Sequence, residues 1–480
     1  MSERHTTSEA KRIRRRLFLH TLAAGAAAAA LPKRARGAAD RPPNLIVIMA
    51  DDLGAKELGC YGHPEHKTPH LDQLSRTGVV FKTCFTAPIC HPTRFEIMTG
   101  QYGCHNGVLH FAGRRGGPKP SDPAEQIVNH ITFAQVLKPK GYATAHAGKW
   151  QLSGKVPTLV TETGFDEYCM WAYKNNLPPS VEHTGGWEGR VGGKTSRFWH
   201  PSIVQNGKYR PTKPDDYGPD IFTNFAIDFA TRNKHKPFFI YYPMAFTHAP
   251  YYTTPDTTKS PDDRFKHLKA NFQCNVEYMD KLVGRIVAAV EKLGLRDRTI
   301  IFFTGDNGTG GSGKGQVTEL GARVPMIVNC PGTVKQRPPT DELVDTADVM
   351  PTLADFAGAA VPKDRPIDGR SIAPFLRGAA DATKEWVFAY LADGRILRTK
   401  RWLLERNTPR RFGRLFDCGT SRDGTDYKDV TDSTAPEVAA IKKKFAAILA
   451  KLPAPDLPPP KPKDRPRRGK PKGKGARKTE

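Results

Sequence analysis

Long apolar runs are scarce in this 480-residue chain. Outside the N-terminus none reaches the ~18–20 residues that a bilayer-spanning helix needs, so the body is not expected to cross a membrane. Paired cysteine motifs are missing too. The eight cysteines (Cys60, Cys84, Cys90, Cys104, Cys169, Cys274, Cys330 and Cys418) include no C-x-x-C pair. That excludes a zinc ribbon and a dense disulfide framework. An oxidising compartment would permit disulfides, but the spacing selects no partners. No internal repeat is visible. Acidic residues are outnumbered, 49 Asp and Glu against 74 Lys and Arg, for a formal charge of +25. The excess is not spread evenly: residues 1–37 carry +7 and residues 451–480 carry +8, which leaves +10 for the body. A mildly basic body with basic ends gives no reason to expect a nucleic-acid partner. What is present, 38% apolar and 9% aromatic residues, suits a soluble globular enzyme with one large core or two moderate ones.

The two ends read separately from the body. Arg15-Arg16-Leu17-Phe18-Leu19 is a twin-arginine pattern. An alanine-rich stretch from Leu22 to Leu31 and a small-residue site near Gly37-Ala38-Ala39 follow it. Residues 1–39 are therefore expected to be a twin-arginine signal segment, with the translocase as a partner and a periplasmic or otherwise exported destination. The competing reading is a basic tail beside a surface helix. The twin-arginine route carries folded proteins, so a modification installed in the cytoplasm would survive export. Residues 453–480 are dominated by Pro, Lys, Arg and Gly and are expected to form a disordered basic tail.

The body opens with Asn44 to Ala50, a short continuous apolar run of the kind buried on both faces of a sheet. Similar runs recur at Ala143 to Ala147, Pro237 to Tyr242 and Thr299 to Phe303, with helical patterns at Ile131 to Leu137 and Asn271 to Leu293. Alternation of this kind predicts an α/β fold with a largely parallel central sheet flanked by helices. Strand-like pieces at Trp386 to Leu391 and Ile396 to Leu404, then a helix over Ala435 to Leu452, predict a small C-terminal α+β subdomain at 386–452 after a catalytic domain at 40–385. In parallel sheets the chemistry gathers beyond the carboxyl ends of the strands. Asp51-Asp52, Lys149 and Asp306-Asn307 directly follow three of the four runs, and His248 lies a few residues beyond the fourth. Two acidic dipeptides closing strands of one sheet offer hard oxygen ligands suited to Ca²⁺ or Mg²⁺ rather than zinc.

The segment Cys90-His91-Pro92-Thr93-Arg94, with Thr99-Gly100 after it, resembles the C-x-P-x-R signature of the formylglycine-dependent sulfatases of the alkaline phosphatase superfamily. Further elements resemble that family in order. They are Leu45 to Gly54, Thr68-Pro69-His70-Leu71-Asp72 with Gly78 to Phe81, Gly148-Lys149-Trp150, Thr247-His248-Ala249-Pro250 and Thr304 to Gly308. Lys314-Gly315 with Glu319 to Pro325, and Asp345 to Gly358 with Asp368-Gly369-Arg370-Ser371, complete the series. The likeness runs from about residue 43 to 380.

The resemblance implies an alkaline-phosphatase-like fold and a sulfuric ester hydrolase. Cys90 would be oxidised to formylglycine by a formylglycine-generating enzyme, and the hydrate of that aldehyde would attack sulfur. Asp51, Asp52, Asp306 and Asn307, with the modified Cys90, would hold one Ca²⁺. Arg94 would orient the nucleophile, Lys149 and Lys314 would stabilise sulfuryl oxygens, and His248 would protonate the leaving alcohol. Substrates would be sulfated carbohydrates or aryl sulfates. Two positions depart from the family pattern. Thr93 replaces the commoner serine, and Gln151 stands where the family usually has a histidine thought to deprotonate the hydrate. His91 and His146 are expected to be local or structural, and Arg323 is left out of the site. Specificity is expected in the loop over residues 175–217, where Trp187, Arg197 and Trp199 would stack on a sugar or pair with a second sulfate, or else pack locally. Two rivals stand beside the sulfatase reading: a phosphonate or phosphodiester hydrolase of the same superfamily, and a catalytically dead binding protein favoured by Gln151.

Overall fold

Asn44–Ala50 (β1) is buried at every one of its seven positions because strands pair with it on both edges and helices cover the sheet. The computed structural model describes residues 41–114, 117, 119, 121–154, 156–173, 177, 197–380 and 384–453. The segment expected to be a signal at 1–39, Trp187, and the basic tail beyond residue 453 lie outside the described residues.

Nine more strands join β1: Val79–Phe85 (β2), Ala143–Gly148 (β3), Glu167–Trp171 (β4), Ile203–Gln205 (β5), Lys208–Arg210 (β6), Phe238–Pro243 (β7), Thr299–Gly305 (β8), Arg323–Asn329 (β9) and Thr340–Asp345 (β10). Their order is β10-β2-β9-β8-β1-β7-β3-β4-β5-β6. The stretch β8-β1-β7-β3-β4 is parallel throughout. β9 runs against both β8 and β2. β2 therefore points the same way as β1, and the strands β8, β1, β7, β3 and β2 all end on one edge. The continuous apolar runs of the sequence are the central parallel strands, where burial on both faces leaves no place for alternation. Each buried Ile or Phe of β8 adds roughly 1.5–3 kcal/mol to that packing.

Helices Pro69–Arg76 (α1), Cys90–Thr99 (α2), Gly218–Arg232 (α3), Asn271–Lys292 (α4) and Val349–Ala357 (α5) flank the sheet. Along α4 the buried residues Val276, Met279, Val283, Ile286 and Val290 recur at three- and four-residue spacing, so one stripe faces inward, where α4 meets α1 and α3. The helical pattern at 131–137 begins at Phe133 because Thr132 caps it. Thr132 Oγ1 accepts the Gln135 N–H, and Gln135 Oε1 accepts the Thr132 N–H.

A second, antiparallel sheet follows, from Val387–Leu391 (β11), Gly394–Arg398 (β12), Trp402–Asn407 (β13), Arg414–Asp417 (β14) and Lys428–Asp429 (β15), with helix Pro436–Lys451 (α6) after it. The run read as one piece from Ile396 to Leu404 is the hairpin β12–β13. Its turn, Thr399-Lys400-Arg401, contains no glycine or proline to mark it. This sheet packs on the first through Val387, Ala389, Ile396 and Leu403 against Phe85, Ala322 and Leu343. Lys384, just before β11, is buried with its Nζ 2.7 Å from Asp345 Oδ2 and 2.6 Å from Asp348 Oδ1. Contacts gather the described residues from Pro43 on into one compact unit, without a break at 385. Among the described residues no helix is long and apolar enough to cross a membrane.

Candidate active site

Four adjacent parallel strands deliver the site. β1 ends in Asp51-Asp52, β8 in Asp306-Asn307, β3 in Lys149, and the segment after β7 brings His248. The strand ends are tied together by main chain. Asp51 N–H donates to Phe246 O at 2.6 Å, Thr247 N–H to Asp51 O at 2.6 Å, and Lys149 N–H to Pro243 O at 2.7 Å. Gly148 makes the last approach possible. Its φ is +103°, and a Cβ there would lie 2.1 Å from Pro243 O.

Cys90 comes from the turn between β2 and α2 and is the first residue of that fully buried helix, after Ile89 in extended conformation. Its Sγ, an Asp51 oxygen and an Asp306 oxygen all lie within 4.8 Å of one another. One turn on, Arg94 Nη2 donates to Asp306 Oδ2 at 2.7 Å. Lys149 Nζ donates to Asp51 Oδ1 at 2.7 Å, and Lys314 Nζ lies 2.7 Å from Asp52 Oδ1. Three carboxylates thus face three cations, one to one. Asp306 Oδ1 accepts the Asp52 N–H at 2.9 Å, and Asn307 Nδ2 donates to Asp52 Oδ1 at 2.9 Å.

The electrostatics follow from this crowding. Burial and the charge of Asp51 push Asp306 up to about 7, against Arg94 and Lys149. Burial would also raise Asp51, but Lys149, His248, Arg94 and Lys314 together hold it below the usual carboxylate range. Burial pushes the Cys90 thiol up against the pull of Lys149 and Lys314. An unmodified Cys90 is therefore a neutral thiol at pH 7, a poor nucleophile. Burial takes His248 down to about 4 in spite of Asp52 and Asp51. Its Nδ1–H donates to Ala249 O at 2.6 Å, which leaves Nε2 on the side of Asp52 Oδ2, 3.6 Å away.

The oxygen set fits a hard divalent cation. Asp51 Oδ2 and Asn307 Oδ1 are buried without any hydrogen-bond partner, a costly condition that a cation between strand ends relieves. The two bonds from Asn307 Nδ2, to Asp52 Oδ1 and Gly308 O, orient its Oδ1.

All nine residues picked out in the sequence as catalytic or metal-binding are brought to this edge of the sheet. Others fall elsewhere. His146 is a core residue, packed among Trp150, Phe165 and Tyr241 and taken down to about 3 by burial. Arg323 donates to Lys82 O and lies over Tyr61. Arg197 donates to Ala249 O and stacks on Trp171 and Phe198, and Trp199 Nε1 donates to Thr253 O under Arg264. Both are buried in local packing rather than presented to a sugar. His91 has a larger part than its sequence context indicated. Its Nδ1 is 3.0 Å from Gln151 O and its Nε2 3.0 Å from Glu125 Oε1, with Phe111 stacked on the ring. It clamps Gln151, which has a left-handed φ of +56°, beside the helix that Cys90 opens. No spacing in the sequence links residues 91, 125 and 151.

A mostly parallel sheet of this topology, with strand-end carboxylates and cations clustered around the Cys90 turn, has the alkaline-phosphatase-like fold. The Sulfatase family model matches residues 43–359. The chain is 32% identical to human arylsulfatase A over 409 residues, covering 78% of this chain and 73% of the relative. It is 30% identical to dog N-acetylgalactosamine-6-sulfatase over 407 residues, covering 79% and 72%. The crystal structure of Ps i-CgsB in complex with k-i-k-neocarrahexaose superposes with a TM-score of 0.70 at 23% identity, over 87% of this chain and 95% of that one. The chain belongs to the sulfatase family and is a sulfuric ester hydrolase, which does not favour the phosphonate or phosphodiester reading.

Proposed function

We propose that the protein hydrolyses sulfate monoesters of carbohydrates or phenols with a formylglycine made from Cys90 and one Ca²⁺. The observation that carries this reading is Cys90 Sγ at the N-terminus of α2, among oxygens of Asp51 and Asp306. The sulfur stands in for the oxygens of an aldehyde hydrate. When formed, the formylglycine supplies the oxygen that takes up the sulfuryl group. Asp51, Asp52, Asp306 and Asn307 would hold the Ca²⁺, which when bound polarises a sulfate oxygen and the nucleophile.

This chain's own groups do the rest. With the cation absent, Lys149, Arg94 and Lys314 each neutralise a carboxylate. With a dication held by the carboxylates, Lys149, Arg94 and Lys314 would be free to face the sulfate oxygens. The N-terminus of α2 adds its dipole in the same sense. The Ala249 carbonyl fixes the His248 tautomer and aims Nε2 at the leaving alcohol. Burial disfavours protonated His248, and the negative charge of a bound sulfate ester would oppose that effect. The 1–39 segment belongs to this proposal as the export signal, with the modifying enzyme acting on Cys90 before export.

The test is a tryptic mass spectrum of the Cys90 peptide from protein made together with a formylglycine-generating enzyme. An aldehyde in active protein is expected. A fully active preparation carrying only thiol overturns the reading. Elemental analysis should return one calcium per chain, and two zinc ions would overturn the metal assignment.

A further inference from the structure

Behind the nucleophile turn lies a file of buried hydroxyls that ends on a carboxyl group. Thr93, Thr86, Thr346 and Glu96 are all inaccessible to solvent. Thr93 Oγ1 lies 2.9 Å from Ala87 O and 3.2 Å from Ile89 O, the carbonyls of the turn that presents Cys90. Thr86 Oγ1 lies 2.8 Å from Thr93 Oγ1, and Thr346 Oγ1 lies 2.9 Å from Thr86 Oγ1. Thr346 Oγ1 is also 2.6 Å from Glu96 Oε1, while Glu96 Oε2 has no partner.

Four links in this file share three hydroxyl protons, so all four are hydrogen bonds only if a fourth proton is supplied. A carbonyl only accepts, so the single hydroxyl proton of Thr93 goes to the turn. Thr86 must then donate to Thr93, and Thr346 to Thr86. With all three hydroxyl protons used, the contact between Thr346 and Glu96 is a hydrogen bond only if the proton belongs to Glu96. We propose that Glu96 is a permanently protonated carboxylic acid, the terminal donor of a one-way hydrogen-bond chain that positions the Cys90 turn. The inference rests on the reading of Cys90 as the nucleophile.

The surroundings support a neutral Glu96. Burial, the largest cause, and the charge of Asp345 push it well above the ordinary range, against Thr346 and Lys384. The facing ionisable groups are Asp345 and Asp348, both paired with Lys384, and Asp368, paired with His105. Tyr102, Tyr390, Cys84 and Cys104 also face it, and each is held neutral by burial. Lys384, the cation bonded to Asp345 and Asp348, is thus shared between two other carboxylates. Glu96 is a positioning residue and touches no substrate.

Difference infrared spectroscopy of wild type against Glu96→Gln tests the protonation state. A protonated-carboxyl band that shifts in D₂O and persists from pH 6 to about pH 9 is expected. Its absence, or its loss on titration below pH 7, overturns the proposal. Glu96→Gln retains an N–H that can donate to Thr346, so it should keep kcat within about threefold. Glu96→Ala and Thr346→Val should lower kcat about 10–100-fold with KM little changed, as expected for a misplaced nucleophile. Mass spectrometry of the Cys90 peptide in each variant separates misplacement from failed modification. A Glu96→Gln variant as damaged as Glu96→Ala, with equal modification, overturns the chain. If the apolar variants do not fold, the infrared result on wild type and Glu96→Gln still decides. Failure of the formylglycine reading itself would show as thiol in fully active wild type, whatever the infrared outcome.

Discussion

His248 carries the clearest single-residue consequence. A proton donor matters in proportion to how badly the leaving group needs a proton. His248→Ala should therefore cost about 10²–10⁴-fold in kcat on a sugar sulfate and far less on a nitrophenyl sulfate. Equal losses on both would remove His248 from the role of acid. Gln151 is the second test. The resemblance puts it where the family usually has a base, its Oε1 is buried without a partner, and its carbonyl is already engaged by His91. Gln151→His should leave the fold intact, keep or raise turnover, and add an ionisation to the pH–rate profile. An unchanged profile with normal folding would show that this position does not exchange protons with the nucleophile. Asp51, Asp52, Lys149, Asp306 and Asn307 were legible from sequence because each directly follows a strand, where the local pattern already predicts a functional edge, whereas Cys90, Arg94, His248 and Lys314 were picked out by the family resemblance. His91 and Glu96 were not legible, because their partners are 34 to 250 residues away and no periodicity signals them.

At the scale of elements, the strand-end geometry depends on one backbone position more than on any side chain. Gly148→Ala places a methyl group against Pro243 O and forces a left-handed φ on alanine. The expected cost is at least ~1–3 kcal/mol of stability. Activity should fall further than stability accounts for, since Lys149 follows directly. Normal activity in a folded Gly148→Ala protein, read by urea unfolding and turnover together, would contradict the tight β3–β7 junction. The central strands were visible in the sequence as unbroken apolar runs. The antiparallel insertion of β9 between β2 and β8 was not, because a strand buried on both faces reads the same in either direction. The β12–β13 hairpin escaped for a different reason, its turn being built from ordinary polar residues.

For the whole molecule, the balance of charge at the site predicts how metal and pH act together. Asp306, pushed up to about 7, holds a proton part of the time in the metal-free protein. That proton must leave for the cation to bind, so calcium affinity should be high above pH 7 and fall up to about tenfold per unit below it. Calorimetric titration of the metal-free protein across pH 5.5–8.5 should show proton release that vanishes at the upper end. A pH-independent affinity would place Asp306 outside the ligand set. Because Arg94, Lys149 and Lys314 already pair with these carboxyl groups, chelation should leave a folded protein. Calcium at a hundred times Kd should then add only about 2.7 kcal/mol to its stability.

The buried Lys384 joins the segment before the second sheet to Asp345 at the end of β10 and to Asp348 just after it. Its side chain is also what trypsin must grip to cut the bond to Glu385. With the ammonium enclosed by two carboxylates, that bond is closed to the protease until the seam between the sheets opens. Cleavage at this one bond is thus a clock for the partial opening of the molecule, readable on a gel without any probe added to the chain.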